Sequence, residues 1–183
     1  MGEPFNVKVK ICLVGDSAVG KTSLIRRYVM DIFDDKYIST LGTKVSKKRL
    51  KLKKKDLDID LTLSIWDVLG QEGFKGIQGM AFKGARGAML VCDLTREETL
   101  KNITSWADRI KKIAGDIPFV LLANKSDLTS QYKFNESDLE SYSSNLNTSF
   151  FMTSAKFGDN VLKAFYKLGD LVTTELLNEI MNN

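Results

Sequence analysis

Val7, Val9, Ile11 and Leu13 alternate with Lys8, Lys10 and Cys12. That period of two predicts a half-buried strand, running into a glycine-rich segment from Gly15 to Gly20 and then a helix from about Lys21. Apolar runs at Leu61 to Trp66, Ala88 to Cys92, Phe119 to Ala123 and Phe150 to Met152 predict further, more deeply buried strands. Leu100, Ile103, Trp106, Ile110 and Ile113 recur at helical spacing, as do Val161, Phe165, Leu168, Val172 and Leu176, so one helix precedes the third of these runs and another closes the chain. Strands alternating with helices need crossover connections. The implied fold is α/β, a largely parallel sheet covered on both faces, with ligands at the carboxyl ends of its strands. Lys44 to Trp66 holds two strand-like stretches with no helix between them, which predicts one antiparallel hairpin at a sheet edge.

A chain of 183 residues without repeats or a low-complexity linker fits one domain spanning residues 1–183, with residues 1–7 a flexible start and 178–183 the C-terminal end. Cys12 and Cys92 lie inside apolar runs, without metal-ligand spacing or a framework of further thiols, and are expected in the core of a protein from a reducing compartment. The sequence contains no histidine, which excludes Ser-His and Cys-His nucleophiles and every histidine zinc site. The chemistry must rest on carboxylates, amides, hydroxyls, backbone groups and lysine. No signal-peptide pattern, bilayer-length apolar run or lipidation motif is found, and the expected location is cytoplasmic, extending to the periphery of membranes.

Gly15-Asp16-Ser17-Ala18-Val19-Gly20-Lys21-Thr22 matches the phosphate-binding pattern G-x-x-x-x-G-K-[ST] between a strand and a helix. Its glycines let successive N–H groups point inward at phosphate oxygens, and the helix N-terminus adds partial positive charge. Lys21 can reach the β- and γ-phosphates, and the Thr22 hydroxyl suits Mg²⁺, a hard cation that prefers oxygen donors. This motif alone does not separate a GTPase from an ATPase or a nucleotide kinase.

Asn124-Lys125-Ser126-Asp127 follows the strand Phe119 to Ala123 and falls at the same sheet edge as the phosphate loop. A carboxylate only accepts hydrogen bonds. Guanine offers Asp127 two adjacent donors, N1–H and the exocyclic amine, where adenine has an acceptor at N1. A buried polar group left unpaired by the wrong base discriminates by roughly 10⁴ to 10⁵. Backbone N–H groups of Ser154-Ala155-Lys156, after the next strand, can donate to guanine O6. Asp67 follows Trp66 and is expected near Thr22 and the magnesium water shell, with the Gly70 N–H on the γ-phosphate and Gln71 orienting a water without titrating. Thr40, in the aperiodic stretch Tyr37 to Gly42, is expected on a mobile loop whose hydroxyl and N–H sense Mg²⁺ and the γ-phosphate.

In this order and spacing, across nearly the whole chain, these segments resemble the Ras superfamily of small GTPases, most closely the Rab branch. The resemblance implies a G domain: a mostly parallel six-stranded sheet with one antiparallel edge strand and helices on both faces. It implies slow hydrolysis of GTP to GDP, with Gln71, Lys21 and Thr40 as the catalytic set and Thr22, Thr40 and Asp67 around Mg²⁺. Nucleotide contacts would run through Asp16, Ser17, Ala18, Val19, Gly20, Lys21, Thr22 and Ser23, then Tyr37, Thr40 and Gly70. Phe33 would meet the base edge-on, Asn124 and Asp127 would read it, Lys125 would pack over it, and Ser154, Ala155 and Lys156 would close the site around its O6. Two departures stand out: Val68-Leu69 replace the family's Thr-Ala, and of the Rab aromatic surface triad only Trp66 remains, with Val45 and Ala81 in the other places. Classical Rab effectors are therefore in doubt.

No arginine lies between Asp31 and Thr43, so an activating protein is expected to supply one, an addition worth roughly 10³ to 10⁵ in rate. An exchange factor and effectors are the other expected partners, and the chain is expected to be a monomer that binds no nucleic acid. The cluster Lys47 to Lys55 reads as a solvated edge, lysines outward and Leu50 and Leu52 inward, or as a weak contact for an anionic membrane or an acidic partner. Two other functions stand beside the switch: a nucleotide-bound scaffold with negligible hydrolysis, and a phosphotransferase, which the absence of an arginine-rich segment disfavours.

Overall fold

The computed structural model describes residues 3–34, 43–54, 57–68 and 75–182, apart from the side chains of residues 75 and 77. Its elements are β1 (Phe5–Val14), α1 (Lys21–Met30), β2 (Thr43–Lys54), β3 (Leu57–Val68), α2 (Lys75–Phe82), β4 (Gly87–Asp93), α3 (Glu97–Lys101), α4 (Ile103–Ala114), β5 (Phe119–Asn124), α5 (Glu136–Asn145), β6 (Ser149–Thr153) and α6 (Val161–Met181). They form a six-stranded sheet in the order β2-β3-β1-β4-β5-β6. Only β2 runs antiparallel, paired to β3 at the edge, as the hairpin pattern predicts.

Strand alternation divides the core in two. Ile11, Leu13, Leu63, Ile65, Met89, Val91 and Leu122 face α1 and α6, meeting Leu24, Ile25, Phe165, Leu168 and Val172. Cys12, Val14, Leu90, Cys92, Leu121 and Ala123 face the other way, against Phe82, Leu100, Ile103, Trp106 and Ile110. β4 and β5 are buried at every position, because helices cover both of their faces; hence their unbroken apolar runs. Both thiols are in this core, and burial pushes Cys12 up to about 12 and Cys92 higher still, Cys92 with help from the neighbouring Asp93 charge.

Four local expectations need correction. β1 begins at Phe5, inside the stretch expected to be flexible, because Phe5 and Asn6 pair with Ile59 and Asp60. The helix expected over Leu100 to Ile113 is divided at Asn102 into α3 and α4, and Ile113 is 46% exposed. α2 and α5 carry no clear apolar period and were not predicted; α5 is instead marked by a capping box between Asn135 and Asp138. Finally, the lysines of β2 do not all point outward. Lys48 and Lys54 share the inner face with Leu50 and Leu52, Lys48 donating to the Val29 carbonyl at 3.2 Å and Lys54 pairing with Asp170 of α6 at 2.5 Å. Lys55 lies outside the described residues.

Candidate functional site

The chain leaves β1 through Gly15 (φ +148°), Ala18 (φ +61°) and Gly20 (φ +101°) before α1 starts at Lys21. A Cβ on Gly15 would fall 2.1 Å from the Val91 carbonyl oxygen, and one on Gly20 would fall 2.2 Å from Asn124 Nδ2. Both positions therefore demand glycine for space as well as for backbone angle. Lys21 is 7% exposed and folds back along this loop, donating from Nζ to the carbonyls of Gly15 at 2.7 Å and Asp16 at 2.6 Å. Burial pulls its pKa down to about 8 against the opposing charges of Asp67 and Asp16. A desolvated ammonium held this way gains strongly from an arriving anion.

Across the loop, the Thr22 hydroxyl donates to Asp67 Oδ2 at 2.5 Å. Asp67 is 2% exposed and its other oxygen, Oδ1, is buried without a hydrogen-bond partner among the described residues. Burial raises the Asp67 pKa, resisted by the Thr22 hydrogen bond and by the charges of Lys21, Lys44 and Arg26. A hydroxyl and an under-used carboxylate fit Mg²⁺, which needs only one or two protein ligands when phosphates and water complete its octahedron.

The third wall comes from the ends of β5 and β6. Asn124, 2% exposed, donates through Nδ2 to the Val19 carbonyl at 2.9 Å, and its Oδ1 accepts from the Thr153 hydroxyl at 3.3 Å and the Ala155 N–H at 3.2 Å. One amide thus fastens the phosphate loop to the Ser154-Ala155-Lys156 turn. Ser154 Oγ donates to Asp127 Oδ1 at 2.7 Å, which aims that carboxylate. Lys125, at φ +68°, sends its ammonium to Asp93 Oδ2 at 2.6 Å. Lys156 is exposed with its ammonium 5.6 Å from the Phe157 ring centroid, and Phe33 is half-buried against the α1–α6 core. Val19 is buried, whereas Ser17, Thr22 and Ser23 are half-buried and Ala18 exposed at the loop surface. The expected sites Tyr37, Thr40, Gly70 and Gln71, with Leu69, lie outside the described residues.

Five residues that no motif marks hold this framework. Asp93, at the end of β4, is fully buried and accepts from Lys125, from Thr95 through both N–H and hydroxyl, and from Arg96 Nε at 3.0 Å. Burial would raise its pKa, but the bonds from Lys125 and Thr95 and the Lys125 charge outweigh it and hold the carboxyl below its ordinary range. Arg96 also donates to the Ser17 carbonyl at 2.8 Å. Asn102 and the Trp106 indole N–H both donate to the Asp16 carboxylate at 2.8 Å. On the opposite side, Arg27 of α1 donates to the carbonyls of Ala155 at 2.9 Å and Lys156 at 2.5 Å. The only sequence signal was the interruption of an apolar helical run by Asn102, one turn before Trp106.

The model of the Ras family matches residues 10–174 of this chain. The Ras-related protein Rab-8B of Homo sapiens is 35% identical, over all of this chain and 86% of its own length. The Ras-related protein Rab-13 of Rattus norvegicus is 37% identical, over 92% of this chain and 81% of its own length.

Proposed function

Since the chain belongs to the Ras family, we propose that it is a guanine-nucleotide switch that binds GTP and GDP with Mg²⁺ and slowly hydrolyses GTP. One observation carries the reading: Lys21, the Thr22–Asp67 pair and the Asn124–Asp127–Ser154 assembly meet at the carboxyl ends of β1, β3, β5 and β6. That arrangement supplies, within one site, a cation for phosphates, oxygens for a hard metal and an acceptor for the donor edge of guanine.

In this reading backbone N–H groups of Asp16 to Thr22 and the Lys21 ammonium hold the phosphates, while Thr22 and Thr40 would hold the metal directly and Asp67 would hold it through water. Bound Mg²⁺ would neutralise charge on the phosphate oxygens. Gln71 orients the attacking water, and Gly70 and Thr40 sense the γ-phosphate. Tyr37, Ser23 and Phe33 complete the nucleotide contacts. Val68, one departure from the family pattern, is 1% exposed and packs with Cys12 and Phe82, on the sheet face opposite Asp67. Its substitution is absorbed by the core, which favours retained hydrolysis over a scaffold without it. Turnover should be slow alone and rise by roughly 10³ to 10⁵ with an arginine from an activating protein. A trafficking role, regulator and effector partners, and a monomeric state complete the proposal.

The test is to denature purified protein, identify released nucleotide by ion-exchange chromatography, and follow single-turnover hydrolysis after reloading with GTP and Mg²⁺. Released GDP and slow Gln71-dependent conversion support the reading. GTP that stays intact over many hours leaves the scaffold; a protein that ignores guanine nucleotides and binds ATP overturns the assignment.

A further inference from the structure

No described helix is long and apolar enough to cross a membrane, but one sheet face gathers exposed positive charge. Strand register, rather than the lysine run itself, defines it. Thr62 of β3 pairs with Lys8 on one side and Arg49 on the other; Ser64 pairs with Lys10 and Lys47. Directly paired residues share a face, and this one is opposite the buried row of Val9, Leu63 and Ile65. Two hydroxyls therefore sit inside a rectangle of four cations, about 7 Å long by strand rise and about 10 Å wide by strand spacing.

The neighbouring basic residues have an acid opposite them in register or point inward. Lys51 pairs in register with Asp60 and Lys53 with Asp58, while Lys48 and Lys54 point to the inner face. Lys8, Lys47 and Arg49 are exposed, and each stands opposite a hydroxyl where Lys51 and Lys53 stand opposite an acid. Lys10 marks the upper rim, its ammonium 3.6 Å from the Trp66 ring centroid and 2.9 Å from the Lys83 carbonyl. Val45, 45% exposed, is paired with Trp66 just beyond.

We infer that this β2-β3-β1 face docks on an anionic phospholipid surface through Lys8, Lys47 and Arg49, with Thr62 and Ser64 between them. A linear acidic peptide would meet cations in a row, whereas a rectangle on an open sheet meets a planar array of phosphates all at once. Asp58 and Asp60 lie at the far end of the same face, matched in register by Lys53 and Lys51, and the Val45–Trp66 end would sit closest to the bilayer, where an aromatic and an aliphatic side chain suit the headgroup layer. Each exposed cation should contribute about fivefold to partitioning.

The test is sedimentation of the full chain, in its purified nucleotide state, with phosphatidylcholine vesicles with and without phosphatidylserine. Binding should need the anionic lipid and fall steeply with salt, as exposed charges are screened. Lys8→Gln/Lys47→Gln/Arg49→Gln should weaken it on the order of 100-fold, and Lys51→Gln/Lys53→Gln less than about twofold. Unchanged thermal midpoints would show that both variants fold. Vesicles ignored by the wild type, equal losses in the two variants, or capture of poly-glutamate without vesicle binding would each overturn the proposal, the last by reassigning the face to an acidic protein segment.

Discussion

The Arg96 guanidinium donates through Nη2 to the Ser17 carbonyl oxygen at 2.8 Å, fastening the rim of the phosphate loop to the end of β4. Its Nε is at the same time 3.0 Å from Asp93, the carboxylate that also holds Lys125. Phosphate loop and base loop are thereby joined through one buried acid. Arg96→Ala should speed GDP dissociation by about tenfold, the low end for a charge-assisted bond because the head is partly exposed. Arg96→Lys should recover only part of this, since an ammonium lacks the fork that reaches both partners. Fluorescent-GDP release in the three proteins checks the order.

Asp93→Asn removes the charge that Lys125 and Arg96 share. The Asp93 carboxyl is held below its ordinary value, so its contribution to stability is complete above the unfolded value of about 3.9 and is lost as pH falls through the folded one. The variant should lose about 2–3 kcal/mol at neutral pH, discounted for the partly exposed ammonium. It should also show a flatter acid limb. Urea unfolding from neutral pH down to about pH 3 measures both quantities.

Trp106→Phe keeps the aromatic packing of α4 but deletes the indole donor to Asp16. A cost of about 1 kcal/mol is expected. The effect should vanish in an Asp16→Ala background, because the bond's acceptor is already gone. A double-mutant cycle on unfolding free energy decides it.

Ser154→Ala leaves Asp127 without its 2.7 Å donor and the Phe157 N–H without its 3.1 Å acceptor. GDP affinity should fall about tenfold, while pyrophosphate, which has no base, binds as before. Titration calorimetry with both ligands separates a base-aiming role from general loosening of the site.

The thiols offer a check on the core. Burial holds Cys12 and Cys92 protonated far above neutral pH, so neither forms the reactive thiolate. A disulfide-exchange reagent at neutral pH should titrate no thiol in the native protein and both in denaturant. Fast reaction of either would mean that the sheet opens locally.

Wherever one period ran unbroken, the elements were readable. Alternation in β1, the continuous apolar runs of β4 and β5 and the helical spacing of α6 follow from which faces must be buried, and burial is written residue by residue. α5 escaped because its sequence is mostly serine, asparagine and acid, with buried contacts reduced to Leu139 and Ser143. The phosphate loop was legible for a related reason: Gly15 and Gly20 are required by positive φ and by close approaches, to the Val91 carbonyl and to the Asn124 side-chain amide, that leave no room for a Cβ.

What the chain determined by itself is therefore local. Periodicity sets the elements, and contiguous motifs mark the loops where phosphate, metal and guanine chemistry is proposed, because their atoms are neighbours in sequence. Tertiary structure decided what depends on distance between strands. It put Asp93 under both Arg96 and Lys125, turned Asn102 and Trp106 onto Asp16, and set Thr22 against one Asp67 oxygen while leaving the other without a partner among the described residues. It also divided one run of lysines into inward-facing, acid-matched and hydroxyl-matched cations. Each outcome is a matter of register and crossover, settled only when the whole sheet assembles and buried charges must find partners far away in sequence.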